Sequence, residues 1–291
     1  MFPTLLSFGH GFSARALSHR LIEKGRRVIG TTRPPDKAAR LKAEGVEPII
    51  WPGSEMKLAL EQATHLLLSA APDDDGDPVL AELTGEISAV ADRLDWVGYL
   101  STTGVYGDHQ GGWVDETTPL TPATKRGHQR VKAEAQWQSL AEMSGLPLHI
   151  FRLAGIYGPG RGPFAKVKRG TARRIVKPGQ VFSRIHVDDI ARVLEASIAK
   201  PNPGAVYNVC DDEAAPPEDV LAHAAALLGV ELPPEEDYAT AEMTPMARSF
   251  YAESKRVAND RIKDELGVEL GYPTYREGLA ALLALEDPTR E

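Results

Sequence analysis

Short apolar runs alternate with longer mixed segments through the first half of the chain. The runs cover residues 4–8, 27–31, 48–51, 65–69, 96–101 and 148–153. Each is four to six residues long and apolar at successive positions, the pattern of a strand buried on both faces. Between them, residues 12–24, 36–44, 78–93 and 122–144 read as helices. Gly25, Gly45 and Gly145 stand just past three of these, where a chain leaves a helix. Strands and helices alternating at this spacing predict βαβ units. The expected class is α/β, a Rossmann-like doubly wound parallel sheet.

After about residue 155 the texture changes. Residues 158–163 form a Gly/Pro loop. Residues 187–199 read as a helix opened by Asp188 and Asp189, acids that suit the positive end of its dipole. Residues 206–210 read as a short strand, and 216–228, 254–266 and 275–285 as helices. The expected division is a core domain over 1–155 and a smaller, mixed C-terminal lobe over 156–291, with 181–210 returning to the core. Such a lobe would lie over the carboxyl ends of the strands, where doubly wound folds bind ligands.

Composition narrows the function. The chain has 291 residues, 33 basic and 41 acidic, for a net charge of −8. Net acidity argues against binding to a nucleic-acid backbone. No run approaches the ~20 apolar residues of a membrane span. The one cysteine, Cys210, cannot form an intrachain disulfide, and the N-terminus lacks a leader pattern. The expectation is a soluble cytoplasmic protein with a small-molecule ligand. Asp73-Asp74-Asp75-Gly76-Asp77 reads as a solvated loop, since it lacks a calcium-loop register. No spacing suggests zinc, so no metal is expected.

Gly9-His10-Gly11-Phe12-Ser13-Ala14 matches G-x-G-x-x-G/A. The pattern alone is common by chance; its place between the first strand and the first helix gives it meaning. Gly9 permits the tight turn, Gly11 lets a pyrophosphate approach the backbone, and Ala14 permits close helix–sheet packing. The ordinary alternative is a tight turn with no ligand. An NAD site expects an acid about 20 residues on. Here the second strand ends Gly30-Thr31-Thr32-Arg33, and the nearest acid is Asp36. Thr32 and Arg33 suit a 2′-phosphate, which favours NADP over NAD.

Three further segments follow in order: Ser101-Thr102-Thr103-Gly104-Val105-Tyr106-Gly107, Gly155-Ile156-Tyr157-Gly158-Pro159-Gly160, and Arg184-Ile185-His186-Val187-Asp188-Asp189. With the glycine turn, they resemble the extended short-chain dehydrogenase/reductase superfamily, in its NAD-dependent epimerase/dehydratase branch. The resemblance runs from Thr4 to about Leu283. It implies that Ser69, Ala70 and Ala71 line the cofactor and that Ala154, Gly155 and Ile156 meet the nicotinamide. It also implies that Thr102 holds the substrate's reacting oxygen.

One departure carries chemical weight. The family places a Tyr-x-x-x-Lys pair one helical turn apart, the tyrosine exchanging a proton and the lysine holding the ribose. Aligned on Ala133-Glu134, those positions are Arg126 and Arg130, and no tyrosine lies between Tyr106 and Tyr157. A guanidinium cannot shuttle a proton near neutrality. Arg126 and Arg130 share a helix face and could clamp an anion, and Arg130 could still donate to the ribose. The remaining proton donors are Thr102 through a water, Tyr106 and His128. The family packs a tyrosine below the site at the Tyr106 position, and His128 reads as a solvated helix residue.

On the substrate side, Phe182 stands where sugar-nucleotide epimerases carry a diphosphate-gripping arginine, and Arg184 follows two residues later. Arg161, Arg173, Arg174 and Arg184 place positive charge on the lobe of an acidic protein, with Arg161 and Arg184 the candidates for an anionic substrate. Surface ion pairing is the ordinary alternative. Arg152 reads as a local pairing residue and His186 as a structural one. The family also implies a homodimer through the helices at 78–93 and 122–144. Two functions follow as expectations: an NADP-preferring (NAD possible) oxidoreductase, epimerase or dehydratase acting on an anionic small molecule, or a catalytically inactive dinucleotide-binding regulatory or structural protein.

Overall fold

A computed structural model describes residues 3–53 and 56–286. The ends of the two-part division, residues 1–2 and 287–291, lie outside it. The strands are β1 (Thr4–Phe8), β2 (Arg27–Thr32), β3 (Glu47–Ile50), β4 (His65–Leu68), β5 (Trp96–Thr102), β6 (Trp113–Val114), β7 (Leu148–Leu153), β8 (Gly155–Tyr157), β9 (Arg174–Val176), β10 (Arg184–His186), β11 (Val206–Val209), β12 (Glu235–Asp237) and β13 (Arg256–Val257). The helices are α1 (Phe12–Glu23), α2 (Pro35–Ala43), α3 (Met56–Gln62), α4 (Pro78–Val90), α5 (Lys125–Ser144), α6 (Phe164–Lys168), α7 (Val187–Ala199), α8 (Pro217–Leu228), α9 (Pro245–Phe250), α10 (Asp260–Asp264) and α11 (Tyr275–Glu286).

Seven strands form one parallel sheet in the order β11-β7-β5-β4-β1-β2-β3. The chain winds outward from β1 to β3, then restarts at β4 on the other side of β1. The crevice at that reversal lies between the carboxyl ends of β1 and β4, the place where such sheets hold ligands. One sheet face buries Leu17 and Leu21 of α1 with Ile190 and Leu194 of α7. The other buries Met56 of α3, Leu83 and Ile87 of α4, and Trp137 of α5. A third cluster, with Phe164, Leu221, Tyr275 and Leu279, forms the interior of the C-terminal lobe.

Several elements differ from the sequence expectation. Residues 254–266 form no continuous helix. Arg256 N–H donates to the Gly112 carbonyl and Ala258 N–H to the Val114 carbonyl, so this stretch pairs with β6 as β13, and helix begins only at Asp260. Helix α3 went unread because seven residues give less than two full apolar turns. Helix α5 starts at Lys125 rather than 122, because Thr124 Oγ1 accepts from Gly127 N–H at 3.1 Å and ends the extended entry. Helix α4 ends at Val90 and closes with one 3₁₀ turn. The acidic loop is bonded at both ends rather than fully solvated. Asp77 is buried and its Oδ1 accepts from Val79 and Leu80 N–H, capping α4, while Asp74 accepts from Lys125 and Gln129 of α5. Among the described residues no helix is long and apolar enough to cross a membrane.

Candidate functional site

The glycine turn lies at the sheet reversal. Gly9 follows β1 at φ +71°, and a β-carbon there would stand 2.8 Å from Ala70 N. Only glycine fits so close to the end of β4. Gly9 N–H donates to Thr31 Oγ1 at 2.8 Å and His10 N–H to the Thr31 carbonyl at 3.1 Å. Ser69 Oγ donates to the Gly9 carbonyl at 2.6 Å. Three strand ends thus lock one loop.

Beyond Gly9 the surface opens. A β-carbon on Gly11 would meet only the Gly9 carbonyl, at 3.6 Å. Gly11 is the N-cap of α1, no side chain caps the helix, and no acid lies in its first turn. The leading amides of α1 therefore face a hollow that a side chain would fill, a fit for a pyrophosphate. Within the loop, Ser13 and Ala14 are buried under the helix. His10 is nearly buried against Gly30, and burial lowers its pKa to about 4, so it is a neutral packing group. Phe12 lies under the Arg161 guanidinium, 5.7 Å from the ring centre. Thr32 is nearly buried at the end of β2. Arg33, the next residue, is exposed and enters no ion pair among the described residues.

The opposite end of the crevice is built from β5, α5 and β7. Thr102 ends β5, half-buried, and its Oγ1 accepts from Gly104 N–H at 3.2 Å, starting the 3₁₀ turn Thr103–Tyr106. Helix α5 presses on that turn. A β-carbon on Gly127 would come within 2.8 Å of the Gly104 carbonyl, so glycine permits the approach. Arg126 is exposed at the head of α5, without an ion pair among the described residues. Arg130 turns inward: its Nη1 donates to the Leu100 carbonyl and the Tyr99 hydroxyl. The two arginines share a helix but not a task. His128 is exposed.

Under Thr102 runs a buried polar chain in which Arg152 is a pairing residue, as the sequence suggests, with partners that sequence reasoning missed. Ser101 Oγ donates to Glu134, and Arg152 binds Glu134 Oε2 at 2.8 Å. Arg152 Nη1 donates to Tyr106 OH at 2.9 Å, and Tyr106 OH donates to Asn208 Oδ1 at 2.7 Å. Tyr106 is fully buried, and burial pushes its pKa up to about 12. Its hydroxyl is occupied on both sides in tying β5, β7 and β11 together. The only sequence signal was the set of polar residues within apolar strands.

Ala154, Gly155 and Ile156 follow β7, and Gly155 is exposed. β8 pairs with β10 so that Gly155 faces Arg184. The lobe arginines divide. Arg173 pairs with Glu236 and Arg174 with Glu235, whereas Arg184 donates to the Phe182 and Ala215 carbonyls and enters no ion pair among the described residues. His186 is buried and its Nδ1 accepts from Asp188 N–H, capping α7. Among the described residues no cluster of acids, histidines or cysteine could hold a metal.

Comparisons with known proteins agree with this architecture. Residues 81–210 match the family described as NAD dependent epimerase/dehydratase. The chain is 30% identical to Protein YeeZ of Escherichia coli strain K12 over 279 residues, 91% of this chain and 94% of that protein. Its structure superposes on that of a functionally unknown conserved protein from Silicibacter pomeroyi with a TM-score of 0.93, at 64% identity over 97% of this chain and 98% of that one. It also superposes on UDP-glucuronic acid 4-epimerase from Bacillus cereus in complex with NAD, with a TM-score of 0.78 at 16% identity over 99% and 100% of the two chains. The chain belongs to the NAD-dependent epimerase/dehydratase family of the extended short-chain dehydrogenase/reductase superfamily, as an atypical member without the Tyr-x-x-x-Lys pair.

Proposed function

We propose that this chain is a cytoplasmic NADP(H)-binding oxidoreductase, or an epimerase- or dehydratase-like enzyme, acting on an anionic small molecule. The observation that carries the reading is the open hollow at Gly11, over uncapped amides of α1. The main-chain amides of residues 11–14 would hold the pyrophosphate. Thr32 and the unpaired Arg33 would hold a 2′-phosphate, and Ser69, Ala70 and Ala71 would line the middle of the dinucleotide. Ala154, Gly155 and Ile156 would border the nicotinamide. When bound, the dinucleotide supplies reversible hydride chemistry.

The residues of the chain supply positioning and charge. Thr102 is the group best placed to donate to a substrate oxygen. Arg126, exposed at the head of α5, supplies positive charge but no proton transfer. Arg130 could reach a ribose only through the guanidinium nitrogens it leaves free, since its Nη1 is engaged at β5. Arg161 and Arg184 would face the substrate's anionic part.

A second reading, a dinucleotide-binding protein without turnover, draws on Arg126 standing where a proton shuttle is required. NADPH consumption separates the two. A panel of keto-sugars and keto-acids should contain at least one compound that lowers nicotinamide absorbance with wild type and not with Thr102→Val. Binding of NADPH with no consumption across the panel favours the second reading.

Pairing of two copies through α4 and α5 belongs to the same proposal. Their exposed positions include Ala81, Thr84 and Gly85, and Ala135, Ser139 and Met143, interspersed with Glu82, Glu86 and Glu142. A dimer mass in sedimentation equilibrium supports it, and a monomer at micromolar concentration ends it.

A further inference from the structure

The glycine loop has no formal positive charge of its own. Residues 9–14 include no lysine or arginine, and His10 is buried and neutral. Arg15, the next residue, is held by both carboxylate oxygens of Glu44, at 2.8 and 2.6 Å. The pyrophosphate bridge of a dinucleotide carries two negative charges, and a helix N-terminus offers only about half of one positive charge. The balance has to come from another segment.

The turn after β8 brings a cation to the loop. Gly158 and Arg161 exchange both backbone bonds, each at 2.9 Å, which closes a hairpin with Pro159 and Gly160 at its tip. Gly160 has φ +71°, the conformation that the second tip position of a Pro-Gly turn takes. The base of the hairpin presses on the glycine loop and on the head of α7. A β-carbon on Gly158 would stand 3.1 Å from Phe12 Cζ and 2.7 Å from Val187 Cγ1. On the far side, a β-carbon on Gly162 would stand 3.8 Å from Leu282 Cδ1 of α11, and Phe164 enters the core of the lobe. Packing on both sides therefore sets the position of Arg161.

Its guanidinium lies over the ring of Phe12, the first residue of α1 and the neighbour of Gly11. Arg161 is exposed, and its side chain enters no hydrogen bond or ion pair among the described residues. A guanidinium stacked on a ring keeps its N–H edges free for a phosphate. Other cations of the lobe are taken: Lys168 by Glu286, Arg173 by Glu236 and Arg174 by Glu235.

We propose that Arg161 also closes over the dinucleotide pyrophosphate, with Phe12 as the platform that holds it there. The cradle then has two sides, main-chain amides from α1 and one guanidinium from the hairpin that leads into the lobe. This rests on the dinucleotide reading for the ligand and adds a residue that the glycine motif does not contain. Because the bridge is common to both coenzymes, Arg161 serves NADPH and NADH alike, in contrast to Arg33.

Calorimetric titration of NADPH and NADH into the full chain and its variants tests this. Arg161→Met should weaken both coenzymes by the same factor, about tenfold, without moving the melting temperature of the free protein. Arg169→Met removes the same charge from an exposed site after α6 and should leave both within about twofold. Phe12→Leu keeps the loop amide and removes the ring. It should cost about two- to fivefold in the presence of Arg161 and nothing further in Arg161→Met. Affinities within twofold of wild type in Arg161→Met, a loss confined to NADPH, or equal losses from Arg161→Met and Arg169→Met overturn the proposal. So does a Phe12→Leu loss of the same size in both backgrounds. Wild type that binds neither coenzyme is a separate outcome, which removes the dinucleotide reading and this inference with it.

Discussion

Arg130 reaches from α5 to β5, its Nη1 donating to the Leu100 carbonyl at 2.7 Å and to the Tyr99 hydroxyl at 2.9 Å. The guanidinium therefore fastens the head of α5 to the strand that ends at Thr102. Arg130→Met would leave a strand carbonyl and a buried phenol without their charged donor. Bonds to charged groups are worth about 1.5–3 kcal/mol, so chemical denaturation should show a loss of that size. An unchanged midpoint would mean that the bond is incidental.

Arg33 should decide the choice of coenzyme. It is exposed, unpaired and at the end of β2. Arg33→Ala should weaken NADPH about 10- to 100-fold, the worth of one charge-assisted phosphate bond, and leave NADH within about twofold. Parallel losses for both coenzymes would contradict a 2′-phosphate contact.

The chain of Ser101, Glu134, Arg152, Tyr106 and Asn208 is nearly dry: Glu134 is 1% exposed and Arg152 5%. Removing one member strands the other charge at a cost of about 3–5 kcal/mol. Arg152→Met and Glu134→Gln should each lower stability by that amount. The double variant should cost clearly less than the sum, which a denaturation cycle measures. Additive losses would show that the two side chains act independently.

Asp211 gives stability a pH signature. Its folded pKa of about 8 lies above the ordinary 3.8. A raised carboxyl pKa stabilises the fold at low pH, and that contribution is lost as pH rises from about 4 through 8. Asp211→Asn cannot ionise. The stability gap in its favour should widen by about 1.4 kcal/mol per pH unit across that window, read as melting temperatures from pH 5 to 8. A gap constant with pH would contradict a buried neutral acid.

Much of the core was legible because both-face burial writes itself into the sequence. The runs at 4–8, 96–101 and 148–153 have no polar face to present, and all lie within the central sheet. The glycine turn was legible by position, between a strand and a helix. Residues 254–266 misled because helical spacing there is outweighed by backbone bonds to Gly112 and Val114, more than 140 positions away. Long-range partners were equally invisible at the site. Nothing near Arg130 announces the Leu100 carbonyl, and Glu134 lies 18 positions from Arg152 and 33 from Ser101. That Arg184 alone among the arginines flanking β9 and β10 escapes an ion pair follows only from where Glu235 and Glu236 fold back.

The central claim is that residues 9–14 cradle a dinucleotide pyrophosphate. Gly11 has room for a methyl group, since a β-carbon there meets nothing closer than 3.6 Å, and its φ of −108° is open to alanine. Gly11→Ala should therefore fold normally while its methyl fills the hollow. Calorimetric titration of NADPH into wild type and Gly11→Ala, with melting curves as the control on folding, tests this most directly. The account predicts saturable binding to wild type and at least a tenfold loss in a variant with an unchanged melting temperature. Equal binding by both, or none by wild type, would contradict it.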